Sequence, residues 1–253
     1  MIESFEKTRL AGSIAAGALD EVNNIVKPGL STLEIDKLCY QYINDHKAFS
    51  APLYYRGYPK SCCTSTNHVV CHGIPSEKIL NEGDIINVDV TAIKDGWHGD
   101  TSRMFVVGEC SIKAKKLIKT TYDAMMKAIK IIKADIKIGN IGYMIQKSVE
   151  ADGFSVVRDF CGHGIGKKFH ESPNVLHYGE KNSGQELKEG MIFTVEPMIN
   201  SGKFETKTLK DGWTAVTKDK SLSAQFEHTV GVTKEGYEIF TLSKKGLNLP
   251  PNL

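Results

Sequence analysis

Two acidic residues lie at matching places in apolar segments 107 residues apart, and this repeat constrains the chain more than any other feature. Leu80 to Asp89 and Leu187 to Glu196 both read L-x-E-G-x-I-x-x-V followed by an acid. Two further matches keep the same order. The helix breaks Lys27-Pro28-Gly29 and Lys137-Ile138-Gly139 are one, and His72-Gly73-Ile74-Pro75 with His170-Glu171-Ser172-Pro173 is the other. Together they predict an internal duplication, with halves of approximately 1–110 and 111–253 forming one domain. The period is too long for a solenoid. Two such halves facing each other, each with an acid on a strand, would build a site at their interface.

Within each half, helical spacing precedes strand-like sequence. Leu10, Ala11, Ile14, Ala15, Ala18, Val22 and Ile25 predict a helix from Phe5 to Val26, ended by Pro28 and Gly29. A second helix is expected over Leu33 to Asn44, then short strands from about Lys60 to His72. Ile85 to Ile93 and Thr101 to Val107 read as strands joined by a turn at Lys94-Asp95-Gly96. The pattern restarts with a helix from Ile112 to Lys133 and a shorter one ending near Asp152. Strand-rich sequence follows to about Leu242.

Asp89 sits inside the apolar run Ile85-Ile86-Asn87-Val88-Asp89-Val90, which should be buried on at least one face. A turn centred on Lys94 and Asp95 would set Asp89 directly opposite Asp100, with Cβ atoms about 5 Å apart. Like charges in that position repel, and burying an unpaired carboxylate is costly. A divalent cation between them reverses the sign of the interaction. An exposed turn with ordinary acids accounts for Asp100 but not for Asp89. In the second half, Glu196 and Glu227 also lie in strand interiors. Four carboxylates carry a formal charge that neutralises two divalent ions. His163 adds an imidazole among glycines that permit close backbone approach. Mostly oxygen ligands with one nitrogen suit Mn, Fe, Co or Zn without choosing among them, whereas structural zinc wants more Cys and His.

Composition removes several other classes. Lys and Arg are spread along a chain of net charge +2, which gives no nucleic-acid footprint. No run approaches the roughly 18 apolar residues of a membrane span, and the first residues hold early acids rather than a signal-peptide core. The six cysteines form no C-x-x-C pair, so a cytoplasmic protein with reduced thiols is expected. The Gly-x-Gly around His163 lacks the strand–helix setting of a dinucleotide site.

The strings Asn87-Val88-Asp89-Val90-Thr91, His98-Gly99-Asp100-Thr101-Ser102, Gly162-His163-Gly164-Ile165-Gly166, Phe193-Thr194-Val195-Glu196-Pro197 and Ala224-Gln225-Phe226-Glu227-His228-Thr229 occur in that order. The chain so read resembles the methionine aminopeptidases of bacterial style, type I, in the family that also holds prolidase and aminopeptidase P. The resemblance covers nearly the whole chain. It implies an α+β pita-bread fold: a curved antiparallel sheet with helices on one side and pseudo-twofold halves.

The resemblance also implies the roles. Asp89, Asp100, His163, Glu196 and Glu227 would hold two divalent metal ions that activate a bridging water for attack on the first peptide bond. Glu196 would in addition shuttle the proton. His170 would hydrogen-bond the scissile carbonyl, and His72 would meet the amide nitrogen of the second residue. Tyr55, Tyr58, Cys63, Phe169 and Trp213 would form the methionine pocket, whose aromatic edges and thiol suit a thioether. Many relatives carry Cys where Pro52 stands, so one wall differs. A monovalent cation would sit against Asn67, Val69 and Ser223.

The expected substrates are N-termini of nascent polypeptides, preferably with a small second residue. The enzyme would act as a monomer, with transient ribosome association. The alternatives are a proline-specific peptidase of the same fold and a non-catalytic peptide-binding relative. The first usually carries an extra N-terminal domain, whereas a helix is expected here almost from Met1. The second would have lost ligands that are all present. Only 26 residues separate His170 from Glu196, too few for the insertion of the type II subclass.

Overall fold

The apolar stripe at the start of the chain becomes helix α1 (Ile2–Ile25), in a computed structural model that describes residues 2–250 and Leu253. Its buried face carries Ala11, Ile14, Ala15, Ala18, Leu19 and Val22. Helix α2 (Thr32–Asp45) starts at a capping box: the Ser31 hydroxyl accepts the Glu34 N–H, and the Glu34 carboxylate accepts the Ser31 N–H. Helix α3 (Ile112–Ile129) is capped by Ser111, and α4 (Gly139–Ala151) follows. The expected continuation of α3 to Lys133 does not form. The β-branched run Ile129, Ile131, Ile132 disfavours helix, and the chain turns there to bury Ile132.

The first half supplies strands β1 (Phe49–Ser50), β2 (Cys63–Thr66), β3 (Val69–Cys71), β4 (Ile85–Lys94) and β5 (Trp97–Val106). The second supplies β6 (Ser155–Val156), β7 (Gly162–Gly164), β8 (Glu171–Val175), β9 (Ile192–Val195), β10 (Met198–Asn200), β11 (Thr206–Thr208), β12 (Ala215–Thr217), β13 (Ser223–Gln225), β14 (Glu227–Val232) and β15 (Tyr237–Ile239). The main sheet has nine strands and runs β1-β4-β5-β14-β9-β7-β8, with β2 on β4 and β15 on β14. Two small three-stranded sheets, β13-β10-β6 and β11-β12-β3, accompany it, the second joining strands of both halves. Every pairing is antiparallel.

The β4–β5 register corrects the sequence-based expectation. Lys94 pairs with Trp97, so the turn is the two-residue loop Asp95-Gly96, with φ of 51° and 80°. Positive φ at both positions is the twist-compatible hairpin geometry that Asp-Gly favours. The pairing axis therefore lies further along the chain than a turn at Lys94–Asp95 would put it. Asp89 faces Ser102, Asp100 faces Thr91, and the two carboxylates are diagonal neighbours on one face.

The two L-x-E-G segments take the same backbone form. Gly83 and Gly190 have φ of 88° and 89°. Their N–H groups donate to Val107 O at 2.8 Å and to Val232 O at 2.9 Å. Leu80 N–H donates to Leu30 O, and Leu187 N–H to Ile136 O, both at 2.8 Å. One core packs α1 and α2 on β4 and β5, and the other packs α3 and α4 beside β9 and β14. They meet where β5 pairs with β14 through Ser102–Glu227 and Thr101–His228.

Two contacts hold α1 on β5. The Arg103 guanidinium, 2% exposed, pairs with Asp20 at 2.5 Å and donates to Ala16 O. Two glycines cross at the other contact: a Cβ on Gly99 would lie 2.2 Å from the Gly12 nitrogen.

Candidate metal centre and active site

The sheet face that carries the acids reads as two rows across the strands. In the first, Cys63 on β2 pairs with Asp89 on β4, Asp89 with Ser102 on β5, and Ser102 with Glu227 on β14. In the second, Thr91 donates to an Asp100 carboxylate oxygen at 2.6 Å. The Thr229 hydroxyl accepts the Asp100 N–H and donates to the Asp100 carbonyl, and Thr229 pairs with Thr194. Thr194 donates to Glu196 Oε1 at 2.6 Å and accepts the His163 N–H. Side chains of alternate residues share a face, so the two rows form one floor.

His163 is aimed by its own backbone. Its Nδ1 lies 3.0 Å from Gly164 O, which can only accept, so Nδ1 holds the proton and Nε2 offers its lone pair. That Nε2 is 3.6 Å from Glu196 Oε1 and 3.8 Å from Asp100 Oδ2. The flanking glycines make this approach feasible. A Cβ on Gly162 would meet Thr194 O at 2.3 Å, and one on Gly164 would meet Ser172 O at 2.2 Å. Asp100, His163 and Glu227 each offer a ligand atom within 4.8 Å of the others.

The electrostatics call for cations. Asp100, Glu196 and Glu227 are buried and Asp89 opens partly to the cavity. Among the described residues none of the four pairs with Lys or Arg. Burial lifts the Asp89 carboxyl to about 7 and, with the nearby Asp89 charge, Glu196 to about 8. Asp100 and Glu227 are pushed well above the usual carboxylate range, first by burial, then by the charge of Asp89 at Asp100 and of Asp100 at Glu227. Burial brings His163 down to about 4, so it is a neutral ligand at neutral pH. A buried carboxylate cluster with a preoriented imidazole fits divalent metal.

Above this floor lies a cavity of about 370 Å³. Its lining includes Asp89, Asp100, His163, Glu196 and Glu227, with His72, His170, Tyr55, Tyr58, Cys63, Phe169 and Trp213. The expected metal ligands, both histidines and the expected methionine-pocket residues are therefore in one place, whereas Asn67, Val69 and Ser223 do not line the cavity. Pro52, Arg56, Thr91, Asp159, Phe160, Cys161 and Met198 also line it. Tyr58 stands edge-on to Trp213 at 5.1 Å, and its hydroxyl lies within bonding distance of Cys62 O and Gly73 O. Tyr55 meets Phe169 at 4.9 Å and stacks on His170 at 5.3 Å. His72, at a left-handed φ of 55°, packs edge-on against Phe160 and Trp213. Burial lowers the pKa of His72. It does the same at His170, where the neighbouring His163 adds to the shift. Away from the cavity, the Asn67 carbonyl accepts the Ser223 N–H at 2.8 Å, and the Ser223 hydroxyl is within 3.3 Å of Ile199 O.

Sequence reasoning missed the supports beneath the acids. His177, 1% exposed, accepts the Glu196 N–H at its Nε2. Gln225 donates to Glu196 Oε2 at 3.4 Å, and His98 donates to Gly166 O while stacking on Phe169. Thr91 alone had a sequence signal, since it shares the strand face of Asp89.

An antiparallel sheet that gathers unpaired carboxylates and one imidazole beneath a peptide-sized cavity defines a metallopeptidase, and the chain belongs to Metallopeptidase family M24, matched over residues 6–234. It is 58% identical over 250 residues to the methionine aminopeptidase of Rickettsia prowazekii, covering 98% of this chain and 96% of that protein. The Escherichia coli K12 methionine aminopeptidase is 55% identical over 244 residues, covering 96% of this chain and 92% of that protein. The crystal structure of the Rickettsia enzyme matches with a TM-score of 0.95 at 57% identity, over 96% of this chain and 98% of that one. The prolidase of Pyrococcus furiosus shares the fold at 21% identity, with a TM-score of 0.77 over 95% of this chain and 64% of that one. The architecture is thus the pita-bread fold. Among the described residues no helix is long and apolar enough to cross a membrane.

Proposed function

We propose that this chain is a dinuclear aminopeptidase that removes the initiator methionine from nascent polypeptides, preferably when the second residue is small. The observation that carries this reading is the joining of one carboxylate–imidazole floor to one thiol-and-aromatic wall in a single cavity. Similarity to two named methionine aminopeptidases over almost the full length supports it.

Asp89, Asp100, His163, Glu196 and Glu227 would hold two divalent ions, of Mn, Fe, Co or Zn. Bound there, the metal supplies Lewis acidity and a water acidic enough to ionise near neutral pH. The protein does the rest. Tyr55, Tyr58, Cys63, Phe169 and Trp213 bind the methionine side chain through apolar and sulfur–aromatic contact. The free α-amine lies near Asp89, which restricts attack to the first peptide bond. Glu196 takes the proton of the attacking water and returns it to the departing amine. His170 steadies the scissile carbonyl oxygen as it gains charge. That role requires its N–H form, and the depressed pKa keeps the ring neutral at pH 7. His72 meets the amide nitrogen of the second residue.

The same reading makes the chain one catalytic unit formed by duplication, cytoplasmic and monomeric, that meets its substrates near the ribosome. It includes a monovalent cation at Asn67, Val69 and Ser223. The decisive assay strips metal with a chelator and adds back Mn, Fe, Co or Zn singly, with Met-Ala-Ser and X-Pro peptides as substrates. Metal-dependent release of methionine from Met-Ala-Ser is expected. Cleavage confined to X-Pro peptides would identify a proline-specific peptidase instead.

A further inference from the structure

One charged side chain at the cavity has no partner in the chemistry above. Arg56 is the only lysine or arginine that lines the cavity, it is exposed, and among the described residues no acid pairs with it. Its position is built rather than incidental. The segment from Tyr54 to Tyr58 closes on itself, with Tyr54 N–H donating to Tyr58 O at 2.8 Å and Gly57 N–H to Tyr54 O at 3.2 Å. Within it Tyr54 and Arg56, neither of them glycine, hold left-handed φ values of 66° and 49°. Such backbone is disfavoured and persists where surrounding structure enforces it. The outcome is a guanidinium 5.3 Å above the Tyr55 ring, which itself stacks 5.3 Å from the His170 ring.

That stack gives a direction. If His170 meets the scissile carbonyl, a substrate leaving the floor passes the Tyr55–Arg56 side. The third residue of an extended peptide lies roughly 7 Å beyond the scissile bond, and its side chain reaches further, toward a guanidinium at most two 5.3 Å stacking steps from the His170 ring. A guanidinium held over an aromatic ring presents its planar fork to a carboxylate. The cavity's other acid away from the floor, Asp159, is already engaged by the Thr206 hydroxyl at 2.5 Å.

The geometry points to Arg56 as a specificity-determining residue that reads a carboxylate just beyond the second residue of the substrate. That carboxylate is an acidic side chain at the third position or the free C-terminus of a tripeptide. The inference rests on the aminopeptidase reading above, and the test separates the two. The wild-type protein, loaded with Mn(II), is assayed on Met-Ala-Asp-Phe-amide, Met-Ala-Asn-Phe-amide and Met-Ala-Lys-Phe-amide, and on Met-Ala-Ser with free and amidated ends. Release of methionine from none of these overturns the functional reading itself. With release observed, the Asp peptide should exceed the Asn peptide in kcat/KM by about threefold to fivefold, as expected of a partly exposed ion pair. The difference should lie in KM and shrink in 0.5 M NaCl. The Lys peptide should be poorest. A preference confined to free Met-Ala-Ser would assign the site to the terminal carboxylate, and one confined to Asp would assign it to the side chain. In Arg56→Gln the Asp/Asn ratio should fall to about one, and Arg56→Lys should restore part of it. Equal kcat/KM for the Asp, Asn and Lys peptides together with equal kcat/KM for free and amidated Met-Ala-Ser, or a preference that survives in Arg56→Gln, overturns the inference.

Discussion

Asp89 and Glu196 were legible because an acid inside an apolar run is costly unless something compensates it, and that argument needs no structure. Glu227 in its strand interior and His163 among glycines were legible mainly through similarity, since such placements have many structural uses. His177 and Thr194 were not legible at all. They support Glu196 through bonds that exist only after the chain has folded, and nothing local marks them. The raised carboxyls make metal uptake depend on pH in a definite direction. Free of metal, the folded chain keeps protons on Asp89 up to about 7 and on Glu196 up to about 8. The unfolded chain releases them near 4. These two groups therefore lower the stability of the metal-free fold as pH rises from about 4 through 8. Metal must displace the same protons, while His163, held near 4, is already neutral throughout. At one fixed Mn(II) concentration the rise in Tm on adding metal should be larger at pH 8 than at pH 6. Equal shifts would show that the carboxyls are not protonated at rest. His170 makes a separate prediction: His170→Ala should lower kcat on Met-Ala-Ser by about a hundredfold. Unchanged turnover would remove the carbonyl-steadying role.

At the scale of elements, hydrophobic periodicity located all four helices and the β4–β5 hairpin to within a few residues. It did not supply the register. Side chains repeat every second residue along a strand, so a displaced turn axis kept both acids on one face while changing them from facing to diagonal. Lys94 was assigned to the turn, but it stays in β4 because its ammonium reaches His46 O and Lys47 O at 2.9 and 2.8 Å. Those acceptors come from the end of α2, outside any local window. The crossing of α1 on β5 was equally hidden, because a glycine before an aspartate reads as a turn. Gly99→Ala tests what the crossing does. The added methyl would press on the α1 backbone at Gly12, and overpacking of this kind costs about 1–3 kcal/mol. A urea titration should show that loss. Because Asp100 follows directly, Mn(II) binding measured calorimetrically should weaken as well. Normal metal affinity in a destabilised Gly99→Ala protein would show that β5 holds Asp100 independently of α1.

For the molecule as a whole, the repeated L-x-E-G segments point to two similar halves, and Gly83 and Gly190 share the same left-handed turn. How the halves join was unreadable, because strand partners distant in sequence leave no local trace. The halves join in two sheets: β5 pairs with β14 through Ser102–Glu227 and Thr101–His228, and β3 pairs with β12 through Cys71–Ala215 and Val69–Val216. Asp89 and Asp100 lie on one side of the β5–β14 seam, and His163, Glu196 and Glu227 on the other. A cation gripped by both sets is a rivet through the seam, and parting the halves would mean tearing it out. Amide hydrogen exchange offers the measure. Adding Mn(II) should slow exchange in Thr101, Ser102 and Thr229 far more than in Trp97 at the hairpin tip, which lies within one half. Uniform slowing would mean that the metal merely stiffens the whole chain. A response concentrated at the seam would mean that the ion which equips this protein to cut other chains also keeps its own two halves from drifting apart.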